Sequence, residues 1–384
     1  MQVTRLVLKN WRNFKAFDAR FQDVSYLLGP NASGKSNLLD VFRFLRDISK
    51  PKGGGLQSAV DDRGGIVKVR CLHARNDTEV LIDVRLSDDG DEGEESWRYV
   101  LGFKPEGKGA QRILVSREEV WEGEQRIINR PDDDDARDRA LLTQTRLEQI
   151  AANARFRKLA EFFGNITYLH LVPQLLKFSE QIGGNRLEND PFGQGVLDRI
   201  ARTSEKTRDA RLRKIGEALS LAVPHFKDLR FVRDEVGRPH LEAMYQHHRP
   251  KAGWQTEEQF SDGTLRLIGI LWSLLEGSSM LLMEEPEISL NNEVVRQIPV
   301  IIDRLQRGRK QKRQVVISTH SEAMLDNKGI DGRGVILLVP ESEGSGARGL
   351  TDDELQMLVD GLSVAETILP MTRPQRVEQL GLWK

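Results

Sequence analysis

Eight consecutive residues, Gly29-Pro30-Asn31-Ala32-Ser33-Gly34-Lys35-Ser36, satisfy the pattern G-x-x-x-x-G-K-S/T. Residues of these types at this spacing capture phosphate. Backbone N–H groups of the loop point at the anion, and a helix that starts there adds its positive end. Lys35 would reach β- and γ-phosphate oxygens. Ser36 would offer its hydroxyl to Mg2+, a cation that prefers oxygen ligands and substrate phosphates. The candidate ATP-binding residues are therefore Gly29, Asn31, Ser33, Gly34, Lys35, Ser36 and Asn37. A glycine-rich turn that binds nothing is the plain alternative.

Two further motifs carry chemistry. Met280-Leu281-Leu282-Met283 is a short apolar run that ends in Glu284-Glu285-Pro286. Neighbouring carboxylates beside a triphosphate require a cation. Glu284 is placed to hold Mg2+, and Glu285 to orient or deprotonate an attacking water. Val315 to Thr319 is another apolar run, and His320 follows it, where a histidine can contact a γ-phosphate. Exposed acids at a strand end and a lone histidine after a strand are common without function. Their order after a phosphate loop favours the chemical reading. Ser261-Asp262-Gly263-Thr264 precedes the apolar stretch Leu265 to Glu276. Alone it reads as an ordinary N-cap; with the other motifs it reads as a second anion-binding helix tip.

The elements that must position these groups follow from periodicity. Val24 to Leu28 reads as a buried strand that delivers the loop, and Ser33 to Asp47 as a helix with Leu38, Leu39, Phe42 and Leu45 on one apolar face. Met280 to Met283 and Val315 to Thr319 read as parallel strands, whose C-terminal ends form the ligand-binding crevice of an open α/β sheet. Residues 51–65 read as a glycine-rich loop. Ile66 to Leu72, Val80 to Leu86, Trp97 to Phe103 and Ile113 to Trp121 alternate like strands, which predicts an antiparallel β-lobe over 66–130 beside the nucleotide. The run Asp132 to Asp135 reads as a solvated turn, residues 137–163 as helix, and 175–230 as mostly helical. Residues 350–384 read as one or two short helices.

In this order the motifs resemble the ATP-binding-cassette ATPases of the SMC/RecF-like and overcoming-lysogenization-defect-like kind, especially the small stand-alone bacterial members without a nuclease domain. The resemblance covers residues 1 to about 340, motif by motif. It implies an α/β P-loop ATPase head with a mixed central sheet, an antiparallel β-lobe and a helical signature lobe. The expected division is one head over 1–384, with the β-lobe at 66–130, a helical lobe at 137–259, the signature, carboxylate-strand and switch-histidine half at 260–340, and the tail at 350–384. It also implies that Ser261 and Gly263 serve the nucleotide of a second copy, in a head-to-tail dimer that sandwiches ATP. Gln174, after Pro173, resembles the glutamine that links Mg2+ to the helical lobe, which makes Ser36, Gln174 and Glu284 the metal set. Arg12, in Asn10-Trp11-Arg12-Asn13-Phe14, resembles a phosphate contact. Asn291 falls where the wider superfamily has an aspartate. Glu284 and Asp262 replace a commoner aspartate and glycine, as in the stand-alone branch.

Composition bounds the rest. The chain has 384 residues, 30% charged and 39% hydrophobic, with formal net charge −1. No global basic field announces nucleic acid. The single cysteine, Cys71, cannot form an internal disulfide and suits a reducing cytosol. No apolar run is long enough to span a membrane, and the opening reads as a strand rather than a signal peptide. A cytoplasmic protein is expected. The spacing from Lys35 to Gln174 argues against a transporter subunit, and the lack of long heptads against a full SMC protein. His240, His247 and His248 do not form a nuclease motif. Two basic clusters, Arg304, Arg307, Arg309, Lys310, Lys312, Arg313 and Arg202, Lys206, Arg208, Arg211, Arg213, Lys214, are candidate DNA-backbone contacts. The expected function is an ATP-hydrolysing switch that couples homodimerisation to DNA binding or to a separate nuclease or toxin effector, in phage defence or DNA repair. The alternatives are a nucleotide-gated scaffold without hydrolysis and a RecF-like recombination mediator.

Overall fold

Short apolar strands decide where a phosphate loop can stand, because each must be buried on both faces. The computed structural model describes residues 1–88, 95–107, 110–178, 192–193, 195–246, 253–307 and 312–372. The chain divides into two compact units. The first comprises Met1–Ile166, Ser278–Leu282 and Arg309–Lys384; the second comprises Thr167–Gly277 and Met283–Gly308.

The first unit opens with β1 (Gln2–Trp11), β2 (Phe14–Arg20) and β3 (Val24–Leu28), then α1 (Lys35–Ser49), α2 (Leu56–Asp61) and α3 (Ile66–Val69). Strands β4 (Val80–Ser87), β5 (Trp97–Gly107), β6 (Ala110–Glu122) and β7 (Gln125–Arg130) follow, then α4 (Asp133–Arg137) and α5 (Arg157–Gly164). The second unit runs through β8 (Thr167–Leu169), α6 (Pro173–Lys177), α7 (Val196–Arg202), α8 (Glu205–Ala222), β9 (Phe226–Arg233), β10 (Pro239–Tyr245), β11 (Gln255–Thr256) and α9 (Asp262–Leu275). Strand β12 (Leu281–Glu284) begins in the first unit and ends in the second, which also holds α10 (Asn292–Arg307). The chain then re-enters the first unit with β13 (Val315–Ser318), α11 (Glu322–Leu325), β14 (Val335–Glu341), β15 (Gly344–Arg348), α12 (Asp352–Val359) and α13 (Val364–Thr372).

Two sheets organise the first unit. The central one has the order β15-β14-β3-β13-β12. Strands β13 and β14 both run parallel to β3, and β15 is antiparallel to β14, so the sheet is mixed as expected. Tyr26, Leu27 and Leu28 of β3 are buried, which is what a central parallel strand requires. The other sheet is antiparallel, in the order β2-β1-β4-β5-β6-β7. The predicted lobe is therefore larger than 66–130, because the N-terminal strands form its edge. Its expected first strand, Ile66 to Leu72, is absent: Ile66–Val69 is a helix, and only Arg70 makes a β-bridge, to Trp11. Four β-branched and basic residues with no partner strand cannot satisfy their backbone as a sheet.

Helix α1 buries more than one face. Leu38, Leu39, Val41, Phe42, Phe44, Leu45 and Ile48 are all inaccessible, and Phe44 meets Trp11 and Phe103 at ring centroid distances of 5.2 and 5.3 Å. The polar residues between them are buried as well and must be paired. Arg63 donates to Asp40 at 2.9 Å and to Asp47 at 3.0 Å. Burial alone would push the Asp40 carboxyl up; the neighbouring Arg63, then Arg12, outweigh it and hold it below the usual carboxylate range.

Three local expectations are corrected. Asp132 to Asp135 is not a solvated turn. Asp132 caps α4 in a reciprocal capping box with Asp135, and buried Asp135 receives Arg130 at 2.6 Å. Residues 137–163 are not one helix: short 3-10 turns at Arg139–Thr143 and Ala154–Phe156 precede α5. The second unit is not only helical, since β11-β10-β9 form a three-stranded antiparallel sheet beside α8. The tail carries α12 and α13; residues 373–384 lie outside the described residues, as do His247, His248, Arg309 and Lys310.

Candidate functional site

The first unit holds the phosphate loop where the sequence places it, between β3 and α1. Gly34 is the N-cap of α1, with φ 101° and no side-chain cap on the helix. A side chain there would meet strain from the left-handed backbone, and its Cβ would stand 2.3 Å from Asn13 Nδ2. With no acid in its first turn and no capping side chain, the positive end of α1 is free to face an anion. Lys35 is buried and its Nζ donates to the carbonyls of Gly29 at 2.9 Å and Pro30 at 3.3 Å, which draws the ammonium over the loop. Ser33 Oγ is buried with no hydrogen-bond partner among the described residues. Asn31 and Ser36 are exposed. An orphaned hydroxyl, an uncapped helix end and a lysine folded onto the loop fit a bound phosphate chain.

Asn13 fixes this loop, and the sequence reading had not singled it out. Its Nδ2 donates to Ser33 O at 3.0 Å and to Ser345 Oγ at 2.9 Å, and its Oδ1 accepts from Asn37 Nδ2 at 2.7 Å. Trp11 Nε1 donates to the carbonyl of Asn37 at 2.8 Å. Asn37, expected among ATP contacts, thus uses its amide to hold the turn between β1 and β2. Arg12 is engaged by Asp40, at 3.0 Å from Nε and 2.5 Å from Nη2. The only sequence signal for Asn13 was its place beside Arg12.

Parallel register brings His320 to the same sheet end. Ser318 is paired with Leu27, so His320 lies two residues beyond Ser318 just as Gly29 lies two beyond Leu27. His320 is exposed there, and Ser321 caps α11 behind it.

The second unit holds the other motifs. Ser261 is the N-cap of α9: its Oγ accepts from Thr264 N at 3.1 Å and lies 2.8 Å from Thr264 Oγ1. Gly263 faces the carbonyl of Ser289, which a Cβ would approach to 2.6 Å. Gln174 lies in the first turn of α6. Its Nε2 donates to Asp262 Oδ2 at 2.6 Å, and Lys177 donates to Asp262 Oδ1 at 2.7 Å. The expected glutamine is therefore bonded directly to the signature motif. Tyr168 donates its hydroxyl to Glu284. Glu285 has φ 42°, a left-handed backbone that costs a non-glycine residue about 1–2 kcal/mol. Asn291 Oδ1 accepts from Glu293 N at 2.8 Å and so starts α10. Among the described residues no group of three or more His, Cys, Asp or Glu side chains forms a metal cage by itself. Ser36 in the first unit, and Glu284 and Gln174 in the second, each carry a side-chain oxygen of the kind Mg2+ takes.

The basic clusters fare differently. In the first unit, Arg313 is buried and donates to Ser279 O at 2.6 Å, and Lys312 pairs with Asp23 at 2.6 Å. In the second, Arg307 pairs with Asp303 at 2.9 Å. Arg313 cannot contact DNA. In the other cluster Arg202, Lys206, Arg213 and Lys214 are exposed on α7 and α8, whereas Arg208 stacks on Phe231 at 4.3 Å and Arg211 on Trp272 at 5.3 Å.

Residues 24–326 match the family model described as "AAA domain, putative AbiEii toxin, Type IV TA system". None of the curated proteins compared matches the chain significantly. Among solved structures, an Smc head bound to the C-terminal winged-helix domain of ScpA is similar at TM-score 0.53 and 16% identity, covering 92% of this chain and 99% of that one. An Smc head with an extended coiled coil, bound to the C-terminal domain of ScpA derived from Pyrococcus furiosus, is similar at TM-score 0.51 and 14% identity, covering 94% and 98%. At such identity these likenesses show the fold alone, that of an Smc head. Among the described residues no helix is long and apolar enough to cross a membrane.

Proposed function

We propose, from the premise that the chain belongs to this AAA-domain family of nucleotide-binding ATPases, that it is an ATP-hydrolysing switch in which two copies close head to tail around ATP. The observation that carries the reading is a pair of helix N-termini suited to anions. In the first unit α1 is headed by Gly34 with Lys35 beside it; in the second α9 is headed by exposed Ser261, with Gly263 next in the turn. One would bind a copy's own nucleotide and the other its partner's.

Each residue has a defined task. Loop N–H groups and Lys35 bind and orient the β- and γ-phosphates. His320 contacts the γ-phosphate. Glu285 accepts the proton of the attacking water. Mg2+ bound with the nucleotide would neutralise developing charge on the phosphates, and Ser36, Glu284 and Gln174 would hold it. Ser261 and Gly263 exclude water and orient the γ-phosphate from the other copy. Hydrolysis removes the shared anion and releases the pair.

The switch acts in the cytoplasm on DNA or on a separate nuclease or toxin effector, in phage defence or DNA repair. The exposed cations of α7 and α8 suit a phosphate backbone. The family description names a toxin–antitoxin system, and the similar Smc heads are titled as bound to ScpA, which fits partner control. Steady-state phosphate release tests the enzyme. Wild type should turn over, Lys35→Ala should lose nucleotide binding, and Glu285→Gln should bind ATP yet turn over at least ~100-fold more slowly. Equal turnover in all three would overturn the assignment. Binding without turnover in wild type would leave only the scaffold reading.

A further inference from the structure

Arg266 lies one turn into α9, four residues after Asp262 and therefore on the same helical face. It is 6% exposed, and its Nε is buried with no hydrogen-bond partner among the described residues. Buried arginines are ordinarily paired, because an unsatisfied charged donor destabilises the fold. Asp262, the acid one turn away, already accepts Gln174 and Lys177. Burial pushes the Arg266 guanidinium below its ordinary value, and the fields of Asp262, Glu287 and Glu285 act against that. Two of those three carboxylates belong to the turn that follows β12.

That turn is strained and lies against the start of α9. Glu285 and Ser289 have φ 42° and 62°, both left-handed and neither glycine. The Ser289 carbonyl stands where a Cβ on Gly263 would be, 2.6 Å away. The turn is closed by Ile288 N to Glu285 O at 3.3 Å and Leu290 N to Glu287 O at 3.0 Å. Two strained residues persist only if their surroundings hold them. Along α9, Arg266 is flanked by the buried apolar residues Leu265, Leu267, Ile268 and Ile270.

We infer that Arg266 is a positioning residue for hydrolysis: its buried charge holds the Glu285–Leu290 turn against the first turn of α9, and so links engagement of Ser261 and Gly263 to the orientation of Glu285. The inference rests on the ATPase reading above. A structural cation and a positioning cation differ in what their removal does. Removing a structural one lowers stability and leaves the turnover of the folded protein alone. Replacing this one with an apolar residue of similar length should not lower stability, yet should slow the chemical step.

The test compares wild type, Arg266→Met and Arg266→Lys by thermal unfolding and by ATP turnover with separate kcat and KM. For Arg266→Met the expected result is a Tm unchanged or raised by ~2–4 °C, kcat lower by ~10–100-fold, and KM for ATP within about twofold of wild type. Arg266→Lys, which keeps the charge, should recover a substantial part of kcat. A lowered Tm in both variants with unchanged kcat would make Arg266 structural and overturn the inference alone. Equal loss of kcat in the Lys and Met variants would also overturn it, since the charge would not be what acts. No turnover in wild type would overturn the ATPase reading, and this inference with it.

Discussion

Removing the Asn13 side chain should weaken nucleotide binding without unfolding the protein. Asn13 makes three side-chain hydrogen bonds, to Ser33 O, Ser345 Oγ and Asn37 Nδ2. Each such bond contributes ~1 kcal/mol net, so the clamp holds the loop with at most ~3 kcal/mol. Asn13 and Asn37 are half-buried, so water can replace part of what Asn13→Ala removes. About half the ceiling, ~1.5 kcal/mol, should reach the loop, which corresponds to about tenfold weaker ATP binding. Asn13→Asp should be at least as harmful, because it sets a carboxylate oxygen against the Ser33 carbonyl where a donor stood. Equilibrium titration with a fluorescent ATP analogue and Mg2+ measures both, with thermal unfolding as the control for folding. Affinity within twofold of wild type in Asn13→Ala would refute the clamp and leave Asn13 a surface residue.

Other expectations follow from single contacts. Gly34→Ala places a Cβ 2.3 Å from Asn13 Nδ2 on a left-handed backbone and should cost at least tenfold in ATP affinity by the same titration. Arg130→Met leaves Glu118 and Asp135 buried without their cation, a loss of ~3–5 kcal/mol, and should lower Tm by at least ~6 °C; a smaller fall would mean that the two acids find other partners. Glu354 is held at about 2 by its hydrogen bonds with Arg348 and by the N–H of Thr351. A depressed carboxyl stabilises the fold fully above its ordinary 4.5 and loses that effect as pH falls toward about 2. The Tm difference between wild type and Arg348→Met should therefore be smaller at pH 3 than at pH 6, and a constant difference would show that the pair does not set it.

The sequence revealed those parts of the site that depend on local pattern. A glycine-bounded loop between an apolar strand and an amphipathic stretch could only be β3, Gly29–Ser36 and α1. The runs ending at Glu284 and Ser318 were short, apolar and acid- or polar-tipped, which is how a buried parallel strand reads. Ser261 could be recognised because a cap and the apolar run after it are neighbours in sequence. What stayed hidden depends on distant pairing. That β1 and β2 edge the antiparallel sheet is decided by register with β4, across some seventy residues. Strands β9 and β10 bury Leu229, Leu241 and Ala243 in alternation, but they fall within the 137–259 segment expected to be mostly helical. Asp135 looked solvated because its partner, Arg130, lies across a turn and is itself buried. Ile66–Val69 had strand residues without a strand to join. The roles of Asn13 and Arg266 could not be read at all, since one depends on contacts to Ser33, Asn37 and Ser345 and the other on a missing hydrogen bond.

The composite site is tested most directly by solution mass. Light scattering after size separation should be recorded for wild type without nucleotide, wild type with ATP and Mg2+, and Glu285→Gln with ATP and Mg2+. Head-to-tail closure around ATP predicts that Glu285→Gln with ATP has twice the 43.6 kDa chain mass, while wild type returns to its nucleotide-free mass as ATP is consumed. An ATP-independent mass in both proteins would contradict that closure and withdraw the roles given to Ser261 and Gly263.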